Sequence, residues 1–325
     1  MRFVPLVRAL CAAAAACVLA SGAEAAAWPA RQISLVVPFA AGGGVDNVAR
    51  VLAAGLSKEL KQSVIVENRT GAGGLIGGKY VADARPDGYT LLMGTQTTLA
   101  VAPLLHPDAG LDPLKAYAGI SKVGSSPLLL VANPKFPART VQELVALAKK
   151  EPGKINYGSG GVGTTPHMAM ALLALDAGIR MTHVPYKGEQ PALTDTIGNQ
   201  ISLMFSNLPV SLPLVLGGKL RALAVSSAAR VPAAPDIPTV AESGIAGFEA
   251  GTWFAVVAPK GTPPGVVQIL NRGIDRALQD PKLRSTLQNQ GVTVQAGSAQ
   301  DLDGYIESEY RKWARVVKNA HINIQ

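Results

Sequence analysis

Ile33-Ser34-Leu35-Val36-Val37-Pro38-Phe39-Ala40-Ala41-Gly42-Gly43-Gly44-Val45-Asp46 runs from a β-branched apolar stretch through three glycines into a helical pattern. Residues 33–38 have the short apolar character of a buried strand. Over residues 45–60, Val48, Val51, Leu52, Leu56 and Leu60 recur on one side of a helical period, which predicts an amphipathic helix. Working outward, residues 64–67 and 90–94 read as strands and 75–84 as a helix. Strand, helix and strand in succession, with short connections, predict a parallel sheet covered by helices.

The alternation continues. Residues 128–133 read as a strand, and Thr140-Val141-Gln142-Glu143 is a capping box opening a helix to Lys150. Strands recur at 155–157, 182–185, 201–205 and 220–226, with helical patterns near 166–177, 191–197 and 209–216. Residues 252–258 form one more strand. The tail is helical over 264–279, 282–290 and 299–318, the last stretch capped by Ser298. No internal repeat of a solenoid period is visible. Pro134, Pro137, Pro232, Pro235 and Pro238 flank the central block, and no flexible linker separates it. The pattern predicts an α/β chain of two doubly wound lobes. Lobe 1 is discontinuous, residues 28–130 with 250–325, and lobe 2 is residues 131–249. The chain crosses near 128–133 and returns near 248–258. Two crossings make a hinge, and a hinge between lobes makes a cleft.

Two glycine loops carry the chemistry. Phe39, Ala40, Ala41, Gly42 and Gly43 lead from a strand into a helix whose first amides and dipole face the loop mouth. Such a mouth is an anion site made of backbone; a plain tight turn is the alternative. Tyr157-Gly158-Ser159-Gly160-Gly161-Val162-Gly163-Thr164-Thr165-Pro166 repeats the arrangement, with Thr165 as the expected N-cap and Pro166 as the first helical residue. Ser159, Thr164 and Thr165 add hydroxyl donors. Gly158, Gly160 and Gly163 also spell a dinucleotide fingerprint, but the next strand ends Val184-Pro185-Tyr186-Lys187 without the acidic residue that fold wants. Gly73 to Tyr80 approaches a phosphate loop, yet Tyr80 stands where a magnesium-binding hydroxyl is required. Asp46, in the first turn, either complements the helix dipole or accepts a ligand ammonium. His167 is either structural or faces the cleft, and Trp253 either lines the cleft or fills the core. His106, His167, His183 and His321 show no paired metal spacing, so neither a metal nor a cofactor is expected.

The chain opens with Arg2 and Arg8, an apolar run over 9–20, and Ala23, Ala25 and Ala27 as small cleavage-site residues. This is the grammar of a secretory signal over residues 1–27. The apolar run is shorter than the ~20 residues that span a bilayer. Cys11 and Cys17 both lie inside it. The exported chain therefore has neither a disulfide nor a thiol nucleophile. Lipoprotein cleavage before Cys17 is the alternative, against which Ala14-Ala15-Ala16 lacks the usual leucine. Removing Arg2, Arg8 and Glu24 from 30 basic and 22 acidic residues leaves 28 and 21, a net charge of +7. The basic residues are scattered, without an aromatic-interleaved patch, which speaks against nucleic acid and leaves modest attraction of small anions, with mere solubility as the alternative.

Several ordered motifs resemble the tripartite tricarboxylate transporter receptors, also called Bug proteins. They are Pro38-Phe39-Ala40 with its glycines and Asp46, and Val66-Glu67-Asn68-Arg69-Thr70-Gly71-Ala72-Gly73-Gly74. Pro86-Asp87-Gly88-Tyr89, His183-Val184-Pro185-Tyr186-Lys187-Gly188, Pro235-Asp236-Ile237-Pro238-Thr239 and Trp253-Phe254 follow. The resemblance implies a type II periplasmic-binding-protein fold, monomeric and periplasmic, that closes on a small carboxylate without catalysis. The ligand would be a di- or tricarboxylate, an amino acid or an aromatic acid. The partners it implies are membrane permease subunits, or alternatively a sensory receptor. Carried over by position, the contacts are Phe39 to Gly43 and Gly158 to Thr165, joined by Thr95, Thr97 and Tyr186. Ala41 stands where proline is common, Asn199 where glycine is, and Ser206 where aspartate often precedes asparagine. A periplasmic hydrolase using Ser159 or Thr164 with His167 is the competing enzyme reading.

Overall fold

In the computed structural model, which describes residues 28–186, 188–320 and 322, the opening run forms strand β1 (Ile33–Val37). The expected export signal with Cys11 and Cys17, and also Lys187 and His321, lie outside the described residues. Parallel strands β2 (Val64–Asn68) and β3 (Thr90–Thr95) flank β1 on its two sides. The helices Gly44–Leu60 and Leu75–Ala82 make the crossovers. Ile33, Leu35 and Val37 pack on Val48, Leu52 and Leu56, whereas Val36 faces Leu92 and Val257 on the other side. A strand apolar on both faces is what a parallel sheet covered on both sides requires.

The next strand, β4 (Tyr117–Ala132), is sixteen residues long. After it come β5 (Asn156–Ser159), β6 (Thr182–Pro185), β7 (Leu203–Asn207), β8 (Arg221–Val225), β9 (Gly251–Pro259) and the short β10 (Thr293–Val294). The strand order is β2-β1-β3-β9-β4-β7-β5-β6, with β8 and β10 also on β4. Strand β5 lies between β6 and β7, parallel to both, as β1 lies between β2 and β3. The two halves thus repeat one topology without repeating a sequence.

Strand β4 joins the halves. Its Tyr117 to Pro127 stretch pairs with β9, and Leu128 to Ala132 pair with β7 and β8. The sequence predicts only the second stretch. The first carries register shifts between Gly119 and Ser121 and between Lys122 and Gly124, and such bulges erase the period of two. The return crossing is stitched to β4 at Ser226, which is fully buried. The Leu128 amide donates to Ser226 Oγ at 2.8 Å, and that hydroxyl donates to the Ala250 carbonyl.

The helix Ala299–Asn319 runs across both halves and starts with a capping box between Ser298 and Asp301. Leu302 and Ile306 pack with Trp253, while Trp313 and Val316 pack into the core around Phe205 and Met168. Trp253 is 2% exposed. Its Nε1 donates to Glu309 Oε2 at 2.9 Å, as does Trp313 Nε1, so this tryptophan fills the core. Among the described residues, no helix is long and apolar enough to cross a membrane.

Candidate ligand site

The first loop is held from inside by a carboxylate. Asp46 lies in the first turn of helix Gly44–Leu60 and is 1% exposed. Its Oδ2 accepts from the Gly42 amide at 2.8 Å and from Arg50 Nε at 2.8 Å. Its Oδ1 accepts from Arg50 Nη2 and from Asn68 Nδ2. Burial alone would raise this carboxyl's pKa. The Arg50, Gly42 and Asn68 hydrogen bonds and the guanidinium charge outweigh burial, and the group stays below the usual carboxylate range. Asn68 also donates to the Phe39 carbonyl at 3.0 Å, tying the loop to the end of β2. Gly42 has φ of 79°, the left-handed region that glycine tolerates. Ala40, Ala41, Gly42 and Gly43 are exposed, and Phe39 is half-buried.

The second loop is held by imidazole. Helix Thr165–Ala177 begins one residue earlier than the sequence suggests, with Thr164 at the N-cap and Pro166 in the second position. Thr164 Oγ1 does not cap the helix; it donates to the Gly161 carbonyl at 2.8 Å. His167 Nδ1 takes the loop amide instead, accepting from Gly163 at 3.1 Å. The His167 ring stacks on His183 at 3.9 Å between centroids, and Tyr157 stacks on His183 at 5.0 Å. His183 Nε2 lies 2.7 Å from Ser159 Oγ. Ser159 in turn accepts from the Gly161 amide at 3.1 Å. Burial and the neighbouring His183 push His167 down to about 3, and burial pushes His183 down to about 4. Both rings are neutral at pH 7.

The serine–histidine pair of this loop therefore involves His183, not His167. Ser159 is fully buried, and an imidazole with a pKa near 4 is a feeble base at neutral pH. That combination favours a structural link over a nucleophile.

The end of β3 connects the two loops. Thr97 Oγ1 from the first half lies 3.4 Å from Thr165 Oγ1 of the second. A Cβ on Gly163 would meet Leu105 Cδ1 at 2.6 Å and Val101 Cγ1 at 3.5 Å. A Cβ on Gly74 would meet Thr98 Oγ1 at 2.7 Å and the Phe39 ring at 3.3 Å. Residues Thr97–Val101 adopt a π-helix, a form frequent at functional sites. Sequence reading missed Gln96, which is fully buried with neither amide atom hydrogen-bonded within the protein. Thr95 Oγ1 and Thr98 Oγ1 are buried without partners too. The polar run Thr95-Gln96-Thr97-Thr98 ending an apolar strand was the available signal.

Of the remaining residues singled out from sequence, Gly158, Gly163 and Thr165 are buried, while Gly160, Thr164 and Tyr186 are half-buried. Tyr186 donates its hydroxyl to Asp195 Oδ2 at 2.7 Å, and burial with that bond pushes it up to about 12. Ser206, in the place of an acid, donates to Glu189 Oε1 at 2.7 Å. The same carboxylate accepts from the Asn207 amide and side chain. The acidic group near this turn is thus supplied by Glu189. Asn199 has φ of 59°, a conformation asparagine tolerates better than most residues. Two surface cavities, about 610 Å³ behind His167 and His183 and about 520 Å³ beside Tyr117 and Lys260, have no first-loop residue in their walls.

Two halves of one topology, each opening a helix with a glycine loop and joined by two crossings, define a two-lobe binding-protein fold. Residues 48–322 match the family described as the tripartite tricarboxylate transporter family receptor. Protein BugT of Bordetella pertussis is 39% identical over 301 residues, covering 92% of each chain. The structure of the periplasmic binding protein BugD is similar at TM-score 0.79 and 37% identity, over 92% of this chain and all of that one. R. palustris Rpa4515 with adipate is similar at TM-score 0.81 and 37% identity, over 91% and 99% of the chains. The chain belongs to the tripartite tricarboxylate transporter receptor family.

Proposed function

We propose that this protein is exported through residues 1–27, works in the periplasm and captures a small carboxylate between lobes 28–130/250–325 and 131–249. The ligand is delivered to membrane permease subunits of a tripartite tricarboxylate-type transporter. The observation that carries this reading is the pairing of two glycine-loop helix openings, at the same place in two equivalent strand units, linked through Thr97 and Thr165. First-turn amides have no partner within their own helix and carry the positive dipole end, which suits an anion. Exposed Ala40, Ala41, Gly43 and half-buried Gly160, Thr164 and Tyr186 are the proposed contacts. Thr95 and Thr97 stand behind them. A similar receptor was solved with adipate, a dicarboxylate.

The energetics are consistent with reversible capture. Six charge-assisted hydrogen bonds at ~2 kcal/mol each give roughly 12 kcal/mol. Immobilising a small ligand costs at least ~4 kcal/mol. The remaining ~8 kcal/mol corresponds to a micromolar Kd. Catalysis forms no part of this reading, because Ser159 is buried and His183 is a weak base.

The test is isothermal calorimetry and thermal shift on protein refolded to strip any retained ligand. Adipate, malate, succinate, glutamate and benzoate form the panel. At least one compound should bind at about micromolar Kd, raise Tm and be recovered unchanged. Absence of binding across that panel and across a wider set of small carboxylates would overturn the reading.

A further inference from the structure

The two glycine loops share a device that neither the family resemblance nor the site reading assigns. In the first, a left-handed glycine, Gly42 at φ 79°, donates its amide to a side chain four residues later, Asp46. In the second, a left-handed glycine, Gly163 at φ 77°, donates its amide to a side chain four residues later, His167. In both, the acceptor comes from the first turn of the helix that the loop opens, and in both it is buried, at 1% and 5% exposure.

We propose that Asp46 and His167 are equivalent positioning residues, one per lobe, that turn a left-handed glycine amide inward so that the neighbouring loop and first-turn amides face the cleft. Neither touches the ligand. This rests on the binding reading above and deepens it. The geometry supports the assignment in three ways. Asp46 already accepts four hydrogen bonds, two on each oxygen, which fills its lone-pair directions and leaves no acceptor for a ligand ammonium. His167 can accept from Gly163 only with Nδ1 unprotonated, which fixes the Nε2–H tautomer. Its ring face is covered by His183, itself bonded to Ser159.

The two braces differ in what supports them. Asp46 is supported by charge from Arg50 and by Asn68 of β2. His167 is supported by the ring stack with His183 and Tyr157. Each acceptor therefore calls for a different replacement. His167→Asn keeps an acceptor close to the Nδ1 position, whereas His167→Phe keeps the stacked ring and removes the acceptor. Asp46→Asn keeps one carbonyl acceptor, and Asp46→Leu keeps none.

Three measurements test the proposal. The first uses the unsubstituted protein: a long-range proton–nitrogen spectrum at pH 7 should show His167 as the Nε2–H tautomer, and an Nδ1–H or doubly protonated ring would overturn the assignment. The second follows amide exchange of Gly42 and Gly163 in glycine-labelled, ligand-free protein. His167→Phe should speed exchange at Gly163 about tenfold and leave Gly42 unchanged, and Asp46→Leu should do the reverse. Unchanged exchange at Gly163 in His167→Phe, or at Gly42 in Asp46→Leu, overturns the proposal. The third measures adipate affinity by calorimetry. His167→Phe should weaken it about tenfold and His167→Asn should restore it to within about threefold. Equal loss in both variants overturns the brace. If the unsubstituted protein binds neither adipate nor any other carboxylate, the binding reading fails, while the first two measurements still decide whether the braces exist.

Discussion

The first glycine loop is held by a charge and the second by a neutral stack. Asp46, Arg50 and Asn68 form an ionic clasp under an exposed loop. His167, His183, Tyr157 and Ser159 form an uncharged column under a half-buried one. The backbone task is the same, because a left-handed glycine amide must find an acceptor once it turns away from water. The chemistry differs because the surroundings differ. Arg50 has a half-exposed side chain and can bring its charge to the first loop without being desolvated. The second loop packs against Leu105 and Val101, apolar neighbours beside which an ionised group would be costly. Acid should therefore attack the two loops in different pH ranges.

The largest expected effect follows from that difference. His167 is neutral and buried in the fold, with its pKa depressed from 6.5 to about 3 by burial and by His183. The unfolded chain takes up this proton as pH falls through 6.5, while the folded chain does not until about pH 3. The stabilisation is complete above pH 6.5 and lost progressively below it, at roughly 1.4 kcal/mol per pH unit. Between pH 7 and 4.5 it amounts to roughly 2–3 kcal/mol. Asp46 has the opposite charge logic and a pKa below 3.8, so its contribution persists until the pH falls below that value. Urea unfolding at both pH values should show the loss in the unsubstituted protein and a much smaller one in a His167→Phe/His183→Phe variant. An equal acid response in both would break the comparison. Asp176, whose pKa is raised by burial, responds with the opposite sign but is common to both proteins.

The glycines themselves give the next effect. Gly42 and Gly163 have nearly the same φ, 79° and 77°, so alanine costs each about 1–2 kcal/mol of backbone strain. Space separates them. A Cβ at Gly42 has nothing within 4 Å, whereas one at Gly163 would meet Leu105 Cδ1 at 2.6 Å. Gly163→Ala should therefore destabilise by about 1 kcal/mol more than Gly42→Ala in denaturant unfolding, with the excess relieved by Leu105→Ala. Equal losses would mean that the contact between the second loop and residues 101–105 is absent in solution.

The sequence made the loops legible and left their bracing hidden. Strand, glycines and helix are local patterns, and Ile33–Val37, Thr182–Pro185 and Pro264–Gln279 fall within a residue of where periodicity places them. The two-lobe organisation followed from proline flanks and strand–helix alternation, and the structural relatives share it. What could not be read is non-local. His183 meets Ser159 from 24 residues away, and Asn68 meets Asp46 from 22. Tyr117 to Pro127 escaped because bulges break the alternation that marks a strand. Gln96 escaped because the polar run Thr95-Gln96-Thr97-Thr98 marks a strand end without showing which of its side chains is buried unpaired. Trp253 remained ambiguous until Glu309, 56 residues later in the chain, supplied its acceptor.

The smallest effect concerns Ser159, and it separates a bracing hydroxyl from a reactive one. Its oxygen accepts from Gly161 and lies 2.7 Å from His183 Nε2. Ser159→Ala removes both links and the hydroxyl's own donation to the Gly161 carbonyl, but His183 and Gly161 are only half-buried and water can replace the lost partner, so the cost is about 1 kcal/mol. Because Gly163 still donates to His167, the loop should keep its shape and adipate affinity should change by less than about fivefold. The first loop, with its own clasp, should show no change in Gly42 amide exchange. The same variant assayed against ester and amide substrates gives the opposite case its chance. If the unsubstituted protein turns one over and Ser159→Ala abolishes turnover while leaving binding intact, the imidazole column is a catalytic device and the parallel with Asp46 is only geometric.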